Sequence, residues 1–210
     1  MSDKPVVMLA HPMLERMGEA LAATYQVERL WAQDRAALLA GVGKEVQAIV
    51  EAGEVVLDEA LLLGLPQLKL IACVSVGYDG VDVPWCRAHG IEVTHAPGLN
   101  ADDVADHAMG AMICAMRGIL EGDRFIRAGR WADERLRPFG SLTGKQVGIV
   151  GLGRIGERIA RRAEVFGMRV AWWGPRDKPG AAWPRAKSVL ALAQASDVLI
   201  VAASATADNR

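Results

Sequence analysis

Gln146-Val-Gly-Ile-Val-Gly-Leu-Gly-Arg-Ile-Gly156 is the stretch on which the fold turns. Val147, Gly148, Ile149 and Val150 make a short apolar run of the type buried on both faces of a parallel sheet. The run passes directly into Gly151-x-Gly153-x-x-Gly156, and a helical pattern follows over Glu157 to Phe166. Strand, glycine turn and helix in that order give a weak motif its meaning. Gly151 permits a tight turn, Gly153 lets the backbone approach a pyrophosphate, and Gly156 lets helix and strand pack closely. Leu152, Arg154 and Ile155 complete the turn and lead into a helix whose free N–H groups and positive dipole end suit phosphates. A glycine-rich turn without a ligand is the competing reading. In this context the motif predicts a dinucleotide site.

Downstream, Arg169-Val-Ala-Trp-Trp173 reads as the second strand of a βαβ unit. Ser188 to Gln194 follows as a helix and Asp197 to Val201 as a further strand, before a polar ending at Thr206-Ala-Asp-Asn-Arg210. A complete dinucleotide domain has two βαβαβ halves, and this stretch supplies one half and the first strand of the second. The expectation is an incomplete Rossmann domain, cut after its fourth strand. The residues just past the second strand bear on the cofactor. An NAD site places an acid about 20 residues beyond the glycines, where it binds the ribose 2′-hydroxyl. Here Gly174-Pro175-Arg176 stands in that place, so nothing repels a 2′-phosphate and Arg176 offers it a bidentate clamp. Asp177 falls one residue late and is expected on the opposite side. NADP(H) is therefore favoured over NAD(H), with a plain surface arginine as the competing reading of Arg176.

Upstream, short apolar strands alternate with short helices over residues 1–99. Val6 to Ala10, Gln26 to Leu30, Val46 to Val50, Leu68 to Val74 and Ile91 to Thr94 read as strands. Met13 to Thr24, the stretch from Asp58 to Gly64, and Pro84 to His89 read as helices, with Asp58 and Gly64 as caps. That alternation predicts a doubly wound parallel sheet forming a domain of its own. Pro97-Gly-Leu-Asn100 is the boundary, with Asn100 capping the next helix and Asp102 and Asp103 in its positive first turn. Val104 to Met116 is apolar around nearly its whole circumference, which predicts burial between layers or against a partner chain. His107 within it reads as a satisfied or interface histidine rather than a catalytic one. Gly122 to Gly140 carries many Arg residues and Trp131 and reads as a solvated segment or an arm reaching another subunit. Its balancing acids weaken any nucleic-acid reading.

A net charge of −1 over 210 residues gives no electrostatic case for nucleic acid or an anionic membrane. Charges, Gly or Pro interrupt every apolar run short of a membrane span, and Met-Ser-Asp-Lys-Pro at the start does not resemble a secretory signal. Cys73, Cys86 and Cys114 are widely spaced and odd in number, as expected of reduced thiols in a cytoplasmic protein. No Cys/His cluster has metal-ligand spacing, so no metal site is expected.

From about Gly53 onward the chain resembles the D-isomer-specific 2-hydroxyacid dehydrogenases, most of all their NADPH-dependent glyoxylate/hydroxypyruvate reductase branch. The resemblance is carried by Leu68-Lys-Leu-Ile-Ala, Val76-Gly-Tyr-Asp-Gly-Val-Asp82, Ile91-Glu-Val-Thr and Pro97 to Asn100. It continues through Asp102-Asp-Val-Ala-Asp106, Arg127-Ala-Gly-Arg-Trp131, Leu142-Thr-Gly-Lys and Val147 to Gly156. It implies a flavodoxin-like substrate-binding domain over 1–99 and an NADP-binding Rossmann domain over 100–210, the latter carrying a dimerisation helix and arm at 100–145. It also implies that backbone N–H groups at Val76 and Gly77 hold the substrate carboxylate, where the residues alone also allow a simple turn. Further implications are a homodimer in which Trp131 reaches the partner, and a loop containing Ala203, Ser204, Ala205 and Thr206 along the nicotinamide half of the coenzyme.

The family's chemistry uses an Arg, a His general acid/base and an acid paired with that His. None of His11, His89, His95 and His107 sits in the matching motif, and no catalytic residue is expected before Arg210. The expectation is the N-terminal part of an oxidoreductase that moves hydride from NADPH to a small 2-keto acid such as glyoxylate or hydroxypyruvate. These 210 residues would then be inactive by themselves, whether through gene truncation, proteolysis or engineering. The alternatives are a dinucleotide-sensing or arm-mediated binding module, as in corepressors related to this family, or a structural remnant without a ligand.

Overall fold

The computed structural model describes residues 4–204 and divides the chain into two compact units, Met1–Leu99 and Asn100–Arg210. In the first unit β1 (Val6–Leu9), α1 (Glu15–Leu21), β2 (Gln26–Arg29), α2 (Arg35–Ala40) and β3 (Val46–Glu51) come first. They are followed by α3 (Glu59–Leu63), β4 (Leu70–Cys73), α4 (Val83–Ala88) and β5 (Glu92–Thr94). The five strands are all parallel, in the order β2-β1-β3-β4-β5. That is the flavodoxin-like doubly wound order. Successive side chains alternate between faces, so Val6 and Met8 enter one core with Ile49 and Ile71, while Val7 and Leu9 enter another with Leu14 and Val50.

The sequence reading missed α2, although Asp34 caps it by accepting from the Ala37 N–H. The helix expected over Met13 to Thr24 is shorter: a 3₁₀ turn at Pro12–Leu14 precedes α1, and α1 stops at Leu21. Asp58 caps α3 through the Leu61 N–H and is also clasped by Arg35. That pairing and the cap hold its carboxyl down to about 2.

The second unit contains α5 (Ala101–Arg117), α6 (Ile119–Arg127), β6 (Gln146–Val150), α7 (Arg154–Val165), β7 (Arg169–Trp173), α8 (Val189–Gln194) and β8 (Val198–Val201). Its sheet is parallel with the order β7-β6-β8. Three strands stand where four were expected: the runs read as strands at Val147, Arg169 and Asp197 are the ones that form the sheet, and beside them a single bridge links Trp172 to Arg185. The adjacent Pro184 has no N–H to extend a ladder. At this bridge Trp172 donates its N–H to the Pro184 carbonyl and accepts from the Ala186 N–H at its own carbonyl.

Two expectations for α5 change. Asn100 occupies the cap position but its side chain makes no capping hydrogen bond, since its backbone (φ −103°, ψ 15°) is not the extended form that aims a cap. The helix is buried along one face only, through Ala101, Ala105, Met109 and Met112, and its other face is exposed. His107 lies on that exposed face and has no hydrogen-bond partner among the described residues. Asp102 and Asp106 pair instead with α7: Arg158 and Arg162 reach Asp102, and Arg162 reaches Asp106 at 2.6 Å. No helix among the described residues is long and apolar enough to cross a membrane.

Candidate functional site

Strand β6 lies between β7 and β8, so the chain crosses to opposite sides of it in successive connections. Ligands of open α/β sheets bind at the carboxyl ends of strands at such a switch point. The glycine turn sits there. Gly151 follows β6 at φ +95°, a left-handed conformation suited to glycine, and an added Cβ would lie 2.8 Å from the Ala203 nitrogen. Gly156 is buried in the first turn of α7, where a Cβ would come within 2.1 Å of the Gly151 carbonyl oxygen. Gly153 faces open space, and no heavy atom lies within 4 Å of where its Cβ would be.

The first intrahelical bond of α7 runs from the Glu157 N–H to the Gly153 carbonyl. The N–H groups of Arg154, Ile155 and Gly156 have no acceptor among the described residues. A cleft of about 670 Å³ opens at this turn. Of the residues expected to bind cofactor, Gly151, Leu152, Gly153, Gly174, Pro175, Arg176 and Ala203 line it. Arg154 is exposed at the helix start, Ile155 is half-buried, and Gly156 lies beneath the turn. Thr206 lies outside the described residues.

Arg176 is exposed on the cleft wall and makes no hydrogen bond or ion pair among the described residues. Asp177 departs from expectation: it lines the same cleft, and Arg185 stands 3.6 Å from its carboxylate. The segment after β7 has left the strand, so the alternation of faces no longer applies. The sequence reading also missed Lys178, which closes one side of the cleft by bonding the Leu152 carbonyl at 2.8 Å and pairing with Glu157. Arg185 is fixed by the Gly174 carbonyl at 2.7 Å and lies over the Trp172 ring. Neither long-range pairing has a signal in local spacing.

In the first unit Val76 and Gly77 lie on the loop that leaves β4. All three carbonyls of Ser75, Val76 and Gly77 are engaged: by the Ala96 N–H at 2.9 Å, by His95 Nδ1 at 3.0 Å, and by Ser75 Oγ at 2.8 Å. The N–H groups of Val76 and Gly77 have no acceptor among the described residues. Gly53 supports this loop from behind at φ +94°, where a Cβ would lie 2.2 Å from Ser75 Oγ and 2.3 Å from the Gly77 oxygen. Its own N–H donates to the fully buried Glu51. Burial, and then the Glu51 carboxyl beside it, push the nearby Cys73 thiol up to about 12, so Cys73 is no nucleophile here. Trp131 is exposed, edge-on to Phe125, with Arg135 over its ring at 5.5 Å.

A flavodoxin-like unit in one chain with a Rossmann-type unit and its glycine turn defines a class of two-unit α/β proteins. Within that class the chain belongs to the D-isomer specific 2-hydroxyacid dehydrogenases, whose catalytic-domain pattern it matches over residues 6–210. It is 34% identical to glyoxylate/hydroxypyruvate reductase A of Arabidopsis thaliana over 97% of this chain and 66% of that protein. It is 37% identical to a 2-hydroxyacid dehydrogenase structure from Ketogulonicigenium vulgare, with a TM-score of 0.91 over 99% of this chain and 67% of the other. An NADPH-dependent glyoxylate/hydroxypyruvate reductase from Sinorhizobium meliloti, in complex with NADP and malonate, is 34% identical. Its TM-score is 0.85, with 98% of this chain and 64% of that one covered. The chain thus spans about 65% of the length of the curated relatives it matches.

Proposed function

We propose that residues 100–210 hold NADP(H) and residues 1–99 hold a small 2-keto acid, glyoxylate or hydroxypyruvate, in an oxidoreductase that moves hydride between them. The observation that carries this reading is the cleft beside β6, where three amides at the start of α7 and Arg176 all lack partners among the described residues. Unpaired N–H groups at a helix start suit a pyrophosphate. Arg176 suits a 2′-phosphate, and Asp177, the one acid among the described residues of the cleft wall, is offset by Arg185. Bound NADPH would supply the hydride. The chain's own part would be to hold its phosphates at Gly153 to Gly156 and Arg176, and the substrate carboxylate at Val76 and Gly77.

Reducing a ketone also needs a proton donor and a cation at the developing alkoxide. We infer that these 210 residues alone turn over no glyoxylate, because none of His11, His89, His95 and His107 reads as the family's general acid/base. The exposed face of α5, with Ile119, Leu120, Ile126 and Trp131 exposed beyond it, is the surface on which we place a second copy of the chain.

Changing Arg176 to Ala tests the cofactor reading. Losing a charge-assisted hydrogen bond of about 1.5–3 kcal/mol should raise the NADPH dissociation constant about 10- to 100-fold and leave that for NADH nearly unchanged. Equal losses for the two would remove Arg176 from the 2′-phosphate.

A further inference from the structure

We propose that His95 is a positioning residue, which turns the Gly77 amide toward the carboxylate of the substrate. The inference rests on the reading of Val76 and Gly77 as the carboxylate-binding loop and names the side chain that makes that loop competent.

The geometry starts from one hydrogen bond. His95 Nδ1 lies 3.0 Å from the Val76 carbonyl oxygen, and a carbonyl only accepts, so Nδ1 carries the hydrogen. No peptide bond among the described residues is cis. Across a trans peptide the Val76 C=O and the Gly77 N–H point in opposite directions. Holding the carbonyl toward His95 therefore holds the Gly77 N–H away from it. Beyond Gly77 and its two chain neighbours, no heavy atom lies within 4 Å of the position a Gly77 Cβ would take, so that face of Gly77 is open.

The next peptide is treated in the same way. Ser75 Oγ donates to the Gly77 carbonyl, which leaves the Tyr78 N–H on the opposite side. Ala96 N–H holds the Ser75 carbonyl. Tyr78 meets the imidazole edge-on, with ring centroids 4.9 Å apart, and limits its swing. The carbonyls of Ser75, Val76 and Gly77 are thereby tied back and cannot turn their negative ends toward an anion. A carboxylate presented to a loop with a free carbonyl would meet repulsion; here it meets amides.

His95 differs from the other three histidines in this respect. His11 Nδ1 accepts from the Met13 N–H at a helix start, His89 stacks on Trp85 within its own helix, and His107 stands exposed on α5. Only His95 bonds to the loop, and it does so from the neighbouring strand end: Ala72 of β4 pairs with Thr94 of β5, so the residues that follow the two strands lie side by side.

The test is a malonate titration of the 210-residue chain, followed by the backbone amide resonances of residues 75–78 in ¹H–¹⁵N spectra. In the unaltered chain malonate should move the Val76 and Gly77 resonances. His95→Ala should shift the Gly77 amide before any ligand is added and weaken malonate about tenfold, the ratio worth one hydrogen bond. His95→Asn, whose side-chain Nδ2–H sits at the same branch point as Nδ1–H, should restore both. The amides of buried Ile71 and Ile91 report that the unit is folded in each variant. Unaltered affinity in His95→Ala would overturn the proposal, as would equal weakening in the Ala and Asn variants. If malonate moves none of these amides in the unaltered chain, the loop is not the carboxylate site, and the proposal falls with it.

Discussion

The loops past β4 and β6 both leave backbone N–H groups without acceptors among the described residues, and they are built by opposite means. Past β6 a helix of twelve residues begins at once, and a helix start leaves its first N–H groups unpaired by its own geometry. Past β4 no helix begins. Its amides are left over because Ala96, His95 and Ser75 take up the carbonyls. The free amides past β6 are written in consecutive residues, whereas those past β4 depend on side chains and backbone that the sheet brings together from up to about twenty positions apart.

Glycine substitutions should show this difference most strongly. Gly156→Ala sets a Cβ against the Gly151 carbonyl, and Gly53→Ala sets one against the Gly77 carbonyl at a left-handed φ. Neither opposing group is a flexible side-chain end, so each change should cost about 3 kcal/mol. We expect Gly156→Ala to abolish NADPH binding and leave the malonate response of Gly77 intact, and Gly53→Ala to do the reverse. A variant that lost both responses would show that the sites are not separately built.

That contrast also explains what the sequence disclosed. Both sheets were legible, because parallel buried strands are continuous apolar runs and several helix starts carry a signal such as Asp58, Ser188 or the glycine turn. That Gly151, Gly153 and Arg176 lie together at one cleft was legible for the same reason, since the turn that places them is written in neighbouring residues. Lys178 on Leu152, Asp177 toward Arg185, and His95 on Val76 were not, since their partners lie 8 to 26 residues away. The last was within reach once β4 and β5 were recognised as neighbours, because residues following adjacent parallel strands emerge together. The fourth strand of the second unit was a miscount, since the three runs read as strands there make up one βαβαβ half and no more.

A smaller effect separates the units in acid. In the first unit Arg35 and the start of α3 hold Asp58 near 2, against an ordinary 3.8. A carboxyl depressed in the folded state stabilises fully above its unfolded value and stops doing so as pH falls through its folded one. We therefore expect part of the first unit's stability to fade from pH 3.8 toward about 2. Asp58→Asn keeps a capping oxygen and removes the charge, so its thermal midpoint should depend less on pH over that range than that of the unaltered chain. Equal slopes would show that the Arg35 pair contributes nothing measurable. Asp197 in the second unit is likewise depressed, first by the Gln146 N–H and then by Lys145, so Asp58→Asn should leave that unit's acid response unchanged.

The most direct test of the cofactor cleft is a parallel titration of the 210-residue chain with NADPH and with NADH, read by tryptophan fluorescence, since Trp172 lines the cleft. We expect saturable binding of both, with NADPH tighter by about tenfold or more, as a charge-assisted contact at Arg176 requires. Saturable binding of neither at millimolar concentration, or NADH bound as tightly as NADPH, would contradict it.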